Sequence, residues 1–152
     1  MHIFAKFAAA LAAMPLLAAA PARASALEDA TQLRRLDIML MVTGLRCRTG
    51  DDDFRTDFQA FEAAHLAELN TAARDLRAGY VATLGARGAD RELDRISVTI
   101  ANAYGNGHPW LGCHDLKQVT RDLAVAIGKE PLLAAADEIL RGDGPRLAYR
   151  GE

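Results

Sequence analysis

Cys47 and Cys113 are the only cysteines of the chain, and downstream of residue 24 they are joined by three histidines, His65, His108 and His114. Thiols and imidazoles are the side chains here that could form a covalent cross-link, hold a metal or move a proton near neutral pH. The cysteines stand 66 residues apart, and neither belongs to a Cys-x-x-Cys pair, which argues against redox catalysis. In an oxidising compartment an even number of thiols pairs, and we read Cys47 and Cys113 as a structural disulfide rather than two separate buried thiols. Closing a loop of that length is worth about 4 kcal/mol in the chain-entropy model.

Other chemistry finds weaker support. Zinc needs about four nitrogen or sulfur ligands, and His108 and His114 supply part of a set only if Cys113 stays reduced. Asp51, Asp53 and Glu62 match positions one, three and twelve of a calcium loop, but Arg55 stands where an oxygen ligand belongs and Thr56 replaces the turn glycine. Ser25 and Ser97 are the serines after residue 24, and neither lies in Gly-x-Ser-x-Gly. Gly105-x-Gly107 lacks the third glycine of a dinucleotide cradle and follows a helical pattern instead of a strand. No catalytic residue, metal ligand or cofactor is therefore assigned. Recognition chemistry concentrates in Gly105-Asn106-Gly107-His108-Pro109-Trp110-Leu111-Gly112, which carries the only tryptophan. We take His108, Trp110 and His114 as the candidate recognition loop, with a lid over the helical core as its plainer role.

Helices must position these residues, because the apolar spacing is helical nearly throughout. Ser25 or Asp29 caps a first helix carrying Leu33, Leu36, Leu40 and Cys47 on one face and ending at Gly50. Asp51-Asp52-Asp53 opens a second, with Phe54, Phe58, Phe61, His65, Leu69, Ala73, Leu76, Tyr80 and Leu84 inward. It is either one long spine or two helices broken near Asn70-Thr71, and Gly85 stops it. A third starts near Asp90 and turns Leu93, Ile96, Ile100 and Tyr104 inward. Cys113 opens a fourth, in register with Leu116, Val119, Leu123 and Ile127, and Gly128 ends it. Pro131 starts a short fifth through Leu140. The expected fold is all-α: a compact antiparallel bundle of four to five helices over residues 25–141, clamped by one disulfide. Residues 142–152 follow as a flexible tail, with Leu147 and Tyr149 as its apolar positions.

Residues 1–24 are set apart from the bundle. Lys6 precedes an apolar run to Ala20, and Ala22-Arg23-Ala24 is a small-x-small cleavage site, with Ala24-Ser25-Ala26 a second one two residues on. The run is short of the roughly 20 residues a span needs. We read it as a secretory signal and the protein as periplasmic or secreted, with no stable membrane span after cleavage. Cutting after Ala24 removes Lys6 and Arg23, leaving 16 basic against 20 acidic side chains, a formal charge of about −4. With no basic stripe, a nucleic-acid partner is excluded. At 152 residues, 51% hydrophobic and 25% charged, the chain describes one globular domain.

Leu45-Arg46-Cys47-Arg48 closing an apolar helix, His65-Leu66-x-x-Leu69-Asn70 in a Phe-containing one, Ala101-Asn102-Ala103-Tyr104-Gly105, and a second cysteine opening another helix form a recognisable set. Over about residues 30–127 it resembles a group of small exported alphaproteobacterial helical proteins of unknown function. Relatives in that group sometimes carry an S-adenosylhomocysteine hydrolase label. This sequence does not support it: there is no nucleotide-binding βαβ unit, and the chain is too short for a two-domain dehydrogenase-like enzyme. The resemblance supplies no catalytic residues. The function expected is non-catalytic, through binding to another envelope protein or to itself. The alternative is a small-ligand or metal carrier using the bundle interior or the His108 and Trp110 loop.

Overall fold

The computed structural model describes residues 19–141, with side chains from residue 24 onward, so most of the signal segment and the whole tail at 142–152 lie outside the described residues. The helices are α1 (Ala19–Arg46), α2 (Arg55–Ala64), α3 (Leu66–Tyr104), α4 (Cys113–Val125) and α5 (Lys129–Leu140), and no strand occurs among the described residues. The all-α expectation holds. The first helix begins upstream of the expected caps at Ser25 and Asp29. Alanine-rich sequence favours continuation there, and Pro21 falls in the first turn, where its missing N–H is not needed.

Ile38, Met39 and Leu40 are buried in succession on α1. Successive residues point 100° apart, so this stretch is covered on more than one side. Leu33 and Leu36 are buried as expected, each such side chain contributing about 1.5–3 kcal/mol. Thr43 is tolerated at the axis because its hydroxyl donates to the Met39 carbonyl at 2.7 Å. All four other helices touch α1.

Cross-contacts give the chain directions. Phe54 lies against Gly44. Burial pushes the Asp37 carboxyl above its ordinary range, Arg34 opposes, and Glu62 of α2 adds to the rise; α2 therefore runs back along α1. Residues 66–84 continue that way, placing Gly79 against Leu27. The direction then reverses at Gly85, whose φ of 69° and ψ of 171° are not helical. Arg77 and Asp90 prove the reversal: their side chains pair at 2.9 Å, whereas a straight helix would hold the two residues about 20 Å apart. Residues 86–104 return along α1, with Arg34 donating to Ser97 Oγ at 3.0 Å. Next α4 descends beside α2, Arg121 pairing with Asp57 at 3.0 Å. Finally α5 rises, from Lys129 at Asp29 to Ile139 at His108. The result is an up-and-down bundle.

Further boundaries need correction: α1 ends at Arg46 rather than Gly50, and α5 starts at Lys129, two residues before Pro131. The long second helix breaks at the non-helical His65 (φ −113°, ψ 21°), not at Asn70-Thr71, and beyond it Leu69, Leu76 and Tyr80 face the core as expected while Ala72, not Ala73, is buried. The third helix starts directly after Gly85, well before Asp90, and Leu84 beside the reversal is exposed. The fourth helix ends at Val125 because Ala126 turns extended (ψ 157°), which carries Ile127 out of the buried stripe.

Gly85 and Gly79 separate backbone strain from steric crowding. Nothing lies within 4 Å of a Cβ added at Gly85, but that backbone region is essentially reserved for glycine, so Gly85→Ala should cost about 1–3 kcal/mol. A methyl at Gly79 would come within 2.9 Å of Leu27 Cδ1, the movable end of a side chain, while gaining up to about 1 kcal/mol of helix propensity. Urea unfolding should show a clear loss for Gly85→Ala and little change for Gly79→Ala.

Candidate functional site

At the upper end of the bundle, the Cys47–Cys113 disulfide joins the end of α1 to the start of α4, with the two Cα atoms 5.7 Å apart. Asp115 secures that start by accepting the Gly112 N–H at 3.2 Å. The loop from 105 to 112 packs beside it. Gly107, at φ 101°, makes the turn and lies against the Arg46 side chain. His108 then acts as a clasp: Nδ1 accepts the Leu111 N–H at 3.2 Å, while Nε2 meets the Ile139 carbonyl of α5 at 3.1 Å. A carbonyl can only accept and an N–H can only donate, so the imidazole is the neutral tautomer with its hydrogen on Nε2. Its ring stacks on Tyr104 with centroids 5.9 Å apart and takes Trp110 edge-on at 4.6 Å. Burial holds the His108 pKa below the ordinary value of 6.5, against the opposing hydrogen bond to Ile139.

The loop thus unites His108 and Trp110, with Trp110 45% exposed. His114 stands apart, facing Asp52 at 3.4 Å on an exposed part of α4. His65 is buried, and its Nε2 donates at 2.7 Å to the Leu123 carbonyl, which also accepts the Ala126 N–H at 3.1 Å where α4 ends. Its ring lies 5.4 Å from that of Phe61, which is also buried. His65 Nδ1 has no hydrogen-bond partner among the described residues.

Arg55 determines the chemistry of the Asp51-Asp53 turn. Its guanidinium engages both carboxylate oxygens of Asp53 and, with the Arg55 backbone N–H, holds that carboxyl down to about 2. The carboxylate is thereby committed to an internal cation. Among the described residues, no three His, Cys, Asp or Glu side chains gather as metal ligands would, and no helix is long and apolar enough to cross a membrane.

The lower end carries features the sequence did not reveal. A groove of about 310 Å³ runs between α1, residues 66–75 and the start of α5. Buried Ala30, Leu33 and Ala72 form its floor, and Asp29, Glu68 and Asp75 stand along it. Lys129 reaches in to donate to Asp29 Oδ2 at 2.7 Å. That hydrogen bond raises the lysine pKa despite some desolvation, and the charges of Asp29, Glu130 and Asp75 add to the effect. Beside the groove, large aliphatics stand in solvent: Ile127 is 91% and Val125 80% exposed around the extended Ala126 and the turn at Gly128 (φ 84°), and Leu66, just after the His65 break, is 59% exposed. The exposure of Ile127 follows from Ala126 leaving the helix two residues before Gly128, the glycine at which the stop was expected.

Comparison with known protein families, curated proteins and solved structures finds no match.

Protonating His108 would place a hydrogen on the nitrogen that accepts from Leu111. Because its folded pKa is depressed, the clasp stabilises the fold fully above about pH 6.5, and this contribution is lost as pH falls through the folded value. Thermal unfolding of wild type and His108→Asn should differ by about 1 kcal/mol at pH 7.5, roughly 3–5 °C in Tm, and converge toward pH 5.

Proposed function

We propose that this protein is an exported, non-catalytic helical scaffold that works by binding a protein partner in the cell envelope. The observation that carries the reading is the trio of Leu66, Val125 and Ile127, exposed at one end of a bundle whose core positions are filled. Large aliphatics held in water by helix ends and a tight turn are costly to expose, and they mark interaction surfaces when they lie together. His65 and Leu123 bring Leu66 and Val125 into one neighbourhood, since the 2.7 Å bond joins the residues just before each helix boundary. Export is supported by the charged, apolar and small-residue pattern of residues 1–24 and by a disulfide suited to an oxidising compartment.

A carrier would need room in the interior. Phe61 and His65, the residues that would line it, are buried against each other, which favours the partner module. At the upper end the His108 clasp closes the loop down on α5, in keeping with a lid.

Affinity capture from native envelope extract, with wild type and Ile127→Asp side by side, tests the reading. Ile127 makes too little contact for its replacement to change stability by more than about 0.5 kcal/mol. The wild type should retain a specific partner, or a second copy of itself, that Ile127→Asp loses. A wild type that emerges alone and monomeric, or identical capture by both proteins, contradicts it.

A further inference from the structure

We propose that the groove beside α5 receives a basic peptide segment of a protein partner, with an aliphatic side chain on the alanine floor and a lysine or arginine on the flanking carboxylates. This rests on the partner-binding reading above and names the chemistry of the partner.

The floor sets the first requirement. Ala30, Ala72 and Leu33 make it apolar, and the small alanines leave room for a side chain projecting from a partner. The volume of about 310 Å³ lies at the lower limit for small-molecule pockets, and an open groove of that size suits one or two side chains. No aromatic residue lines it, so it offers no cation–π cage for a quaternary ammonium ligand. Recognition of a cation must instead use hydrogen bonds from an N–H donor to carboxylate.

Charge sets the second requirement. Glu68 and Asp75 form no ion pair among the described residues. Asp29 is taken by Lys129, whose ammonium also feels Glu130 and Asp75. The nearby Arg74 is turned to the Thr71 hydroxyl at 2.9 Å. The rim is therefore net negative and already holds one ammonium, and Lys129 occupies the position that a partner's cation would take.

Continuity sets the third. The groove residues Ala67 and Lys129 are one and two positions along the chain from the exposed Leu66 and Ile127, which puts further apolar surface at the same end of the bundle. A ligand that uses both must extend over several residues, which selects a peptide over a small molecule.

Fluorescence anisotropy with the purified, oxidised protein tests this. The probes are a peptide of about a dozen residues, with leucine flanked by lysines, and its counterpart with glutamate for every lysine. The lysine peptide should bind, and Asp75→Asn or Glu68→Gln should each weaken it about two- to fivefold, as expected for an exposed charge pair. Lys129→Gln, which frees Asp29, should strengthen it by a similar factor. Equal binding of the glutamate peptide, no binding of the lysine peptide, or indifference to all three substitutions overturns the proposal. Those outcomes leave the partner reading standing on the Ile127→Asp capture, which uses no assumption about charge.

Discussion

The disulfide between Cys47 and Cys113 is the constraint on which the upper end of this bundle depends. It fastens the last turn of the central helix to the first turn of α4, across a loop that contains α2 and the whole of α3. Noncovalent contacts alone would have to hold these two ends together against the entropy of a chain segment spanning 66 positions. With the ends fixed, α4 can lie along α2 through Arg121 and Asp57, and Phe54, Phe58 and Phe61 are sealed between them and α1. The His108 clasp then secures α5 to the same end. The covalent fastening and the His108 clasp thus share one pole.

The opposite pole is built differently. There the chain passes from α4 to α5 through a short turn, and the helices are joined by an exposed ion pair of Lys129 with Asp29. Surface pairs of this kind contribute at most about 1 kcal/mol, so this end relies on the alanines that let α1 approach residues 66–75 closely. The same alanines leave a groove, and the same turn leaves Ile127 and Val125 in water. A rigid pole beside an unsealed one is a sensible division for a binding scaffold, because preorganisation reduces the ordering cost of association.

Much of this was legible in the residues. Leu33, Leu36 and Leu40 with Cys47 on the same stripe, and Cys113 three residues before Leu116, placed both sulfurs on core-facing helix edges, which is where they meet. Gly85 was readable as a break because glycine tolerates a positive φ, whereas α4 ends at Val125, three residues before the glycine expected to stop it. The break at His65 was not readable. It is stabilised by a bond to the Leu123 carbonyl 58 residues away, and no local signal marks that, whereas Asn70-Thr71 looks polar and passes through intact helix. The groove was hidden for a related reason: alanines at Ala30 and Ala72 signal close approach without saying whether the space above them is filled. Of the three residues grouped as a recognition loop, His108 and Trp110 meet edge-on at 4.6 Å, while His114 shares their sequence neighbourhood but faces Asp52.

Urea unfolding of the oxidised protein, followed by circular dichroism and repeated after reduction and blocking of both thiols, tests the covalent clamp most directly. The structure calls for a cooperative transition whose free energy falls by up to about 4 kcal/mol on reduction, with the midpoint moving to lower urea. Superimposable curves in the two redox states would show that the bundle closes without its cross-link and would contradict the account.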